Sequence, residues 1–231
     1  MTIKTKEQKQ REAILAASHL IKHLGRIRPL RIYSEMFLCF ILSYGAFIMA
    51  LLSERSLFVS LCLMIFMIFN YRGLTFIHEV AHLETKVKGF KTLYNLMFGY
   101  LNTVPAYTHL PHRRHHSKKD YGSTKDPEYE WWTKKSVLYL FRPLLLAFFY
   151  PLFLNLRFAI YPLFYLLKGE ELGKKTYKKA STFVMNLNYV RPFSQDEYQM
   201  MKREDLICSL VFLLKIALMI FSVVPWVALL Y

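Results

Sequence analysis

Acidic side chains are scarce in this chain, and cysteine is scarcer. Only 16 Asp and Glu stand against 31 Lys and Arg, and three cysteines occur in 231 residues. Cys39, Cys62 and Cys208 each lie in an apolar run with no paired spacing. That excludes a disulfide framework or a CxxC site and leaves small buried hydrophobes. A cleavable signal peptide is missing too, because about 33 mostly polar residues precede the first apolar run. Nor does the chain contain an internal repeat, low-complexity tract or flexible linker. Apolar mass stands where these features would be: 54% of residues are hydrophobic and 16% aromatic, too apolar for an ordinary soluble domain of this length. A net charge of +15 would suit a nucleic-acid binder. Long uncharged runs between the basic stretches fit a membrane protein better, so nucleic acid is not the expected partner.

Histidine, by contrast, is concentrated. Six of the eight fall between His78 and His116. They read H-E-V-A-H at His78–His82 and H-R-R-H-H at His112–His116, with His109 just upstream of the second cluster. On a helix, residues i and i+4 share a face, as do i, i+3 and i+4. His78 and His82 therefore point together, and so do His112, His115 and His116. Imidazoles gathered at one place repel as cations and need partners as neutral rings. A metal supplies both remedies, and imidazole suits iron, zinc and copper alike. Pro111 breaks the helix between His109 and His112, so His109 is either a ligand or an outer partner. His19 and His23 also sit at i, i+4, but lysines surround them without a third donor. They read as solvated.

Residues 1–33 are basic, with apolar positions at roughly helical spacing, and predict an interfacial helix on anionic lipid. Met36–Leu52 and Leu57 to about Ile77 are each near the ~20 apolar residues a spanning helix needs. Ser53–Ser56 joins them as the turn of a transmembrane hairpin, and the histidines begin where the second helix leaves the membrane. Residues 137–167 are apolar and aromatic but hold Arg142, Arg157 and three prolines, which predicts a kinked interfacial or re-entrant helical segment. Residues 168–205 read as a basic mixed loop. A third span runs from about Leu206 to Tyr231, with Lys215 facing protein or snorkelling to an interface. Residues 1–33 carry eight Lys and Arg, the turn one, and residues 71–136 eleven. The positive-inside rule then puts the N-terminus and the histidines in the cytoplasm. The fold class is all-α: a multi-pass helical membrane protein with its histidine site at the cytosolic face.

H-E-V-A-H also matches the pattern in which two histidines hold zinc and a glutamate, here Glu79, acts as general base. That reading predicts a membrane zinc metalloprotease. It needs a third ligand and leaves H-R-R-H-H without a purpose, and five or six histidines exceed the four ligands of one zinc. Two ions account for the surplus, and nitrogen-rich ligation with open positions suits oxygen-activating iron. A metal-free membrane protein, with H-R-R-H-H beside Lys118 and Lys119 as a headgroup patch, is the plainest alternative. Among nearby carboxylates, Asp120 or Asp126 could orient an imidazole through its second nitrogen, while Glu128 and Glu130 read as solvated loop charges. Arg113 and Arg114 read as facing solvent or phosphate, and Trp131 and Trp132 as interfacial anchors.

A histidine pair at the cytoplasmic end of a transmembrane hairpin, followed about 30 residues later by an H-x-x-H-H cluster, resembles the membrane fatty acid desaturase and hydroxylase superfamily. The resemblance covers roughly residues 34–135. It implies a non-haem di-iron (Fe2+/Fe3+) centre with metal ligands His78, His82, His112, His115 and His116, and His109 as a further candidate. It also implies a lipid or fatty acyl substrate, O2-dependent desaturation or the related hydroxylation, and a role in lipid and fatty acid metabolism. Electrons would come from an external donor such as a ferredoxin or a cytochrome b5-type protein, since no flavin, haem or iron–sulfur motif is present. The superfamily's third histidine box has no counterpart here, because no histidine follows His116. One desaturase-like domain over 1–231, incomplete at its C-terminus and inactive or poorly metallated alone, is therefore the expectation.

Overall fold

The computed structural model describes residues 28–129, 141–181 and 188–221, with Glu12 and Leu15, apart from the side chains of 142–148 and 166–168. The chain divides into two compact units, Met1–Glu35 and Met36–Tyr231. His19 and His23, most of the predicted interfacial helix, Glu130, Trp131, Trp132 and the end of the third predicted span lie outside the described residues. In the first unit, Arg31 and Glu35 form an i, i+4 ion pair at 2.7 Å.

Every regular element among the described residues is helical. The long ones come first: α1 (Pro29–Leu51) and α2 (Ser56–Leu83). Both are long and apolar enough to cross a membrane, with only 22% of each apolar window buried. On α2, Leu57, Leu61, Met64, Ile65 and Ile68 are exposed, a flank only a lipid solvent would accept. The opposite flank is polar in places because it meets protein. Asn70, buried on α2, donates to Asn102 Oδ1 at 2.9 Å, and Asn102 Nδ2 donates to Tyr44 of α1 at 3.3 Å. One turn on, Gly73 lets the Phe98 ring lie against the α2 backbone, where a Cβ would overlap that ring. The second predicted span thus continues past Ile77 as helix, and His78 and His82 occupy its last turns.

After α2 the chain makes α3 (Phe90–Tyr94), runs into a π-helical turn (Asn95–Gly99), and passes a 3-10 turn at Ala106–Thr108 to α4 (His112–His115). α5 (Phe141–Asn155), a second π turn (Leu156–Ile160) and α6 (Tyr161–Lys168) then form an unbroken helical path. The three prolines do not break it into pieces. Pro151 lies inside α5, and its carbonyl accepts from Asn155 Nδ2 at 3.0 Å. The π turn precedes Pro162, and there Ser209 donates to the Ala159 carbonyl at 2.6 Å. Inserted π turns and outside donors accommodate such strain.

Residues 168–205 are not the loop that composition suggests. Gly169, at φ 97, breaks the path and starts α7 (Glu170–Ala180), which carries Glu170 and Glu171 at its N-terminus and Lys178 and Lys179 at its C-terminus. That polarity complements the helix dipole. α8 (Gln195–Ile220) starts eleven residues before the predicted third span, behind a capping box in which Ser194 and Glu197 satisfy each other's backbone N–H. Lys215 on α8 faces protein, donating to the Leu101 carbonyl at 2.5 Å.

The core of this half is a tyrosine cluster around one carboxylate. Asp205, fully buried, accepts from Tyr107, from Tyr165 and Tyr177 at 2.8 Å each, and from Arg157 at 3.1 Å. Arg191 holds the Tyr107 carbonyl at 2.8 Å. Tyr107 is thereby fixed at both ends, two residues before His109. Asp205→Ala leaves Arg157 buried without its counter-charge and should cost roughly 3–5 kcal/mol, whereas Gly73→Ala overpacks the Phe98 contact and should cost about 1–3 kcal/mol. Thermal melting in detergent measures both, and a melting point unchanged in either variant contradicts the packing described.

Candidate metal centre

Five of the six histidines reach one place by three routes. His78 and His82 sit one turn apart at the end of α2, with ring centroids 4.7 Å apart. His112 and His116, an i, i+4 pair along α4 and its C-terminal cap, are 4.7 Å apart. The groups interleave: His78 lies 4.6 Å from His112, and His82 lies 5.1 Å from His112 and 4.8 Å from His116. His109 enters from the 3-10 turn and stacks on His112 at 4.6 Å. Four ring nitrogens, from His78, His82, His112 and His116, lie within 4.8 Å of one another.

Arg113 pins one group to the other. Its guanidinium donates to the Ala81 carbonyl and, at 2.7 Å, to Glu84. Carbonyls in the last turn of a helix lack intrahelical partners, so this arginine closes the end of α2 while seating α4 beside it. Arg113 remains exposed, as the sequence suggests, while its guanidinium makes these two contacts. Arg114 is half-exposed and lies 3.9 Å from Asp120, which places Asp120 beside an arginine.

Carboxylates face the outer nitrogens of three rings. His112 Nδ1 is 2.5 Å from Glu128, His115 Nδ1 is 3.1 Å from Asp126, and His78 Nδ1 is 3.2 Å from Glu79. Such pairings fix the proton on Nδ1 and leave the Nε2 lone pair free to bind an ion. Glu128 is the residue that sequence reasoning missed, since a loop carboxylate 16 residues from its partner carries no motif. Asp126 is fully buried. Although burial pushes its carboxyl up, the backbone N–H groups of Glu128 and Gly122 and the His115 ring bring it below the usual range. Of the predicted ligands, His115 stands apart, turned to Asp126, while His78, His82, His112 and His116 share a centre.

The donors fit a metal on two observations. His112 Nε2 and His116 Nε2 are 2.9 Å apart. With the His112 proton held at Nδ1 by Glu128, that contact needs either a proton on His116 or a cation between the lone pairs. Two nitrogens each about 2.1 Å from one ion at a right angle sit roughly 3 Å apart. In addition, His109 Nε2 is buried with no hydrogen-bond partner among the described residues, the kind of orphan that calls for an unseen ion or water.

With that geometry established, residues 54–231 match the family model described as fatty acid desaturase. The chain belongs to the fatty acid desaturase family, and it is an all-helical membrane protein. A ceramide hydroxylase of Caulobacter vibrioides (strain NA1000 / CB15N) is 35% identical to it over 124 residues, which is 52% of this chain and 35% of that protein. The matched stretch thus spans about a third of the curated relative's length. No solved structure matches the chain.

Burial, aided by the neighbouring rings, pushes the His109 imidazole from 6.5 down to about 4. Burial also pushes His112 down, against the opposing pull of Glu128. Both rings are neutral near pH 7 and open as donors. The unfolded chain takes up these protons near pH 6.5 and folded His109 not until about 4, so the metal-free fold should lose stability as pH falls through that interval. Melting scans across it should show the decline, and His109→Gln should flatten it. A melting point that rises toward acid refutes the assignment.

Proposed function

We propose that this protein is a membrane non-haem iron oxidoreductase of the desaturase type, acting on the acyl chain of a lipid. The observation that carries the reading is the convergence of imidazoles from α2 and α4, in a chain of the desaturase family, at the end of a helix flanked by lipid-facing apolar residues. His78, His82, His112 and His116 would hold metal, with His115 and His109 beside them. Bound there, a di-iron group supplies the power to use O2 against an unactivated C–H bond, which no side chain possesses.

The chain's own residues do the rest. Glu128, Glu79 and Asp126 hold protons on the outer nitrogens of His112, His78 and His115, so that the inner lone pairs face the site. α1 and α2 give an acyl chain apolar surface to follow toward their ends. Arg113 closes the α2 terminus and keeps the two histidine groups in register. An external donor, such as a ferredoxin or a cytochrome b5-type protein, delivers electrons. With the N-terminus and the histidines on the cytoplasmic side, as the Lys and Arg bias favours, such a donor reaches the site from the cytosol.

Hydroxylation is the second reading, favoured by the similarity to a ceramide hydroxylase. Both outcomes begin with removal of one hydrogen; loss of another gives an alkene, and gain of oxygen gives an alcohol. A zinc protease using Glu79 is less well supported, because Glu79 faces His78 Nδ1 at 3.2 Å.

Metal analysis of the purified chain, with mass spectrometry of lipids from cells producing it, tests these readings. Iron should co-purify, and alanine at His78, His82, His112 or His116 should remove it together with any alkene or alcohol product. Glu79→Gln, which removes only an outer partner of His78, should weaken iron binding about 10–100-fold without abolishing the product. Zinc in place of iron, with a hydrolytic activity abolished by Glu79→Gln, would overturn the proposal.

A further inference from the structure

Away from the histidines, the tyrosine core gathers side chains that can lose an electron. A buried phenol yields one to a strong oxidant only if its proton has an acceptor within reach. Asp205 is that acceptor. Its Oδ1 accepts from Tyr107, and its Oδ2 accepts from Tyr165 and Tyr177 at 2.8 Å each. The Tyr165 and Tyr177 oxygens are themselves 2.6 Å apart. With both hydroxyl protons on Oδ2, that third contact has no proton of its own, so moving one proton lets the other hydroxyl fill it. The rings are in series as well. Centroids lie 6.2 Å apart from Tyr107 to Tyr177, 5.8 Å from Tyr177 to Tyr165, and 6.0 Å from Tyr165 to Tyr161. Tyr107 stands two residues before His109, and Tyr161 at the other end is only partly buried.

We infer that Tyr107, Tyr165 and Tyr177, with Asp205 as their base, form a redox site that takes up an oxidising equivalent stranded at the metal centre when no C–H bond is presented. The inference rests on the reading of that centre as one that uses O2. In the step, a phenol gives one electron to the oxidant, which is reduced by one unit. Its O–H bond breaks, and the proton forms a new O–H bond on Asp205, leaving a neutral phenoxyl. Burial favours the neutral carboxyl over the ion, which helps the proton move despite Arg157 at 3.1 Å. When Tyr165 or Tyr177 is oxidised, the other hydroxyl turns to the phenoxyl oxygen across the 2.6 Å contact and holds it. An external one-electron reductant, reached through Tyr161, returns the electron, and Asp205 returns the proton. Phenols carry strongly oxidising equivalents only, so this path is separate from the one that delivers electrons from the donor protein.

Two arms test this on the purified full-length chain in detergent. In the first, metal is stripped with a chelator and the chain is illuminated with ruthenium tris-bipyridine and persulfate. It is frozen for electron paramagnetic resonance after a delay in which exposed phenoxyls decay. A persistent tyrosyl signal is expected. Tyr165→Phe and Tyr177→Phe each remove a hydrogen bond to a charged group and should cut its yield on the order of tenfold. Asp205→Asn, which removes the base, should cut it at least as far, whereas Tyr71→Phe, on the exposed flank of α2, should leave it unchanged. In the second arm, the iron-loaded chain is reduced and exposed to O2 without lipid, and the same signal should appear. Helical circular dichroism matching the parent shows that each variant is folded, and the two phenylalanine variants carry the test if Asp205→Asn is not. A light-induced signal that is absent, or equal to the parent's in Tyr165→Phe and Tyr177→Phe, would overturn the inference. So would a signal from light with none from iron and O2, a result that leaves the proposed oxidation of lipids standing. A folded chain that takes up no iron would overturn both.

Discussion

The contact on which the rest of the centre depends is the grip of Arg113 on the end of α2. Two short histidine sequences, thirty residues apart in the chain, matter only if they stand at one point. The guanidinium bonds the Ala81 carbonyl and Glu84 together, on the same turn as His82 and next in sequence to His112. An arginine fits this role because its planar fork of donors serves a carbonyl and a carboxylate at once. A lysine offers a point charge and would leave the relative rotation of the two elements loose.

Behind this contact the molecule is built in two solvents. α1 and α2 expose apolar side chains on the flank that meets lipid, and they turn Tyr44 and Asn70 to Asn102 in the turn after the first π segment. The later helices pack differently, around Asp205 and its ring of tyrosine hydroxyls. A buried carboxylate is expensive unless its lone pairs are filled, and here three hydroxyls and Arg157 fill them. Through Tyr107 that core fixes the turn from which His109 and His112 project. The lipid-facing half carries the first pair of donors and the aromatic half steadies the second.

The parts legible in sequence were those with a short period. Apolar runs near spanning length marked α1 and α2, and i, i+4 spacing marked both histidine groups, because a helix turns such spacings into shared faces. Glu128 was not legible, since its approach to His112 depends on a loop whose path no local rule dictates. The helices between 168 and 205 were hidden for a different reason. Lysines crowd that stretch and mask a buried face made of Tyr177, Tyr198 and Asp205. The S-Q-D-E sequence at 194–197 was the available signal, a capping box that marks where α8 begins. The unbroken run through Pro151 and Pro162 could not be foreseen, because composition does not reveal a π turn or the Ser209 hydroxyl that serves it.

The close fit of Gly73 against Phe98 carries a consequence for how this chain can diverge. That contact and the Asn70–Asn102 pair clamp the azimuth of α2 one and two turns before His78. Each residue added to a helix rotates all later positions by about 100°. A single insertion or deletion between Gly73 and His78 would therefore swing both imidazoles away from α4, even with every side chain preserved. Along its outer flank this helix is free to exchange one apolar residue for another, but over those few positions its length is invariant.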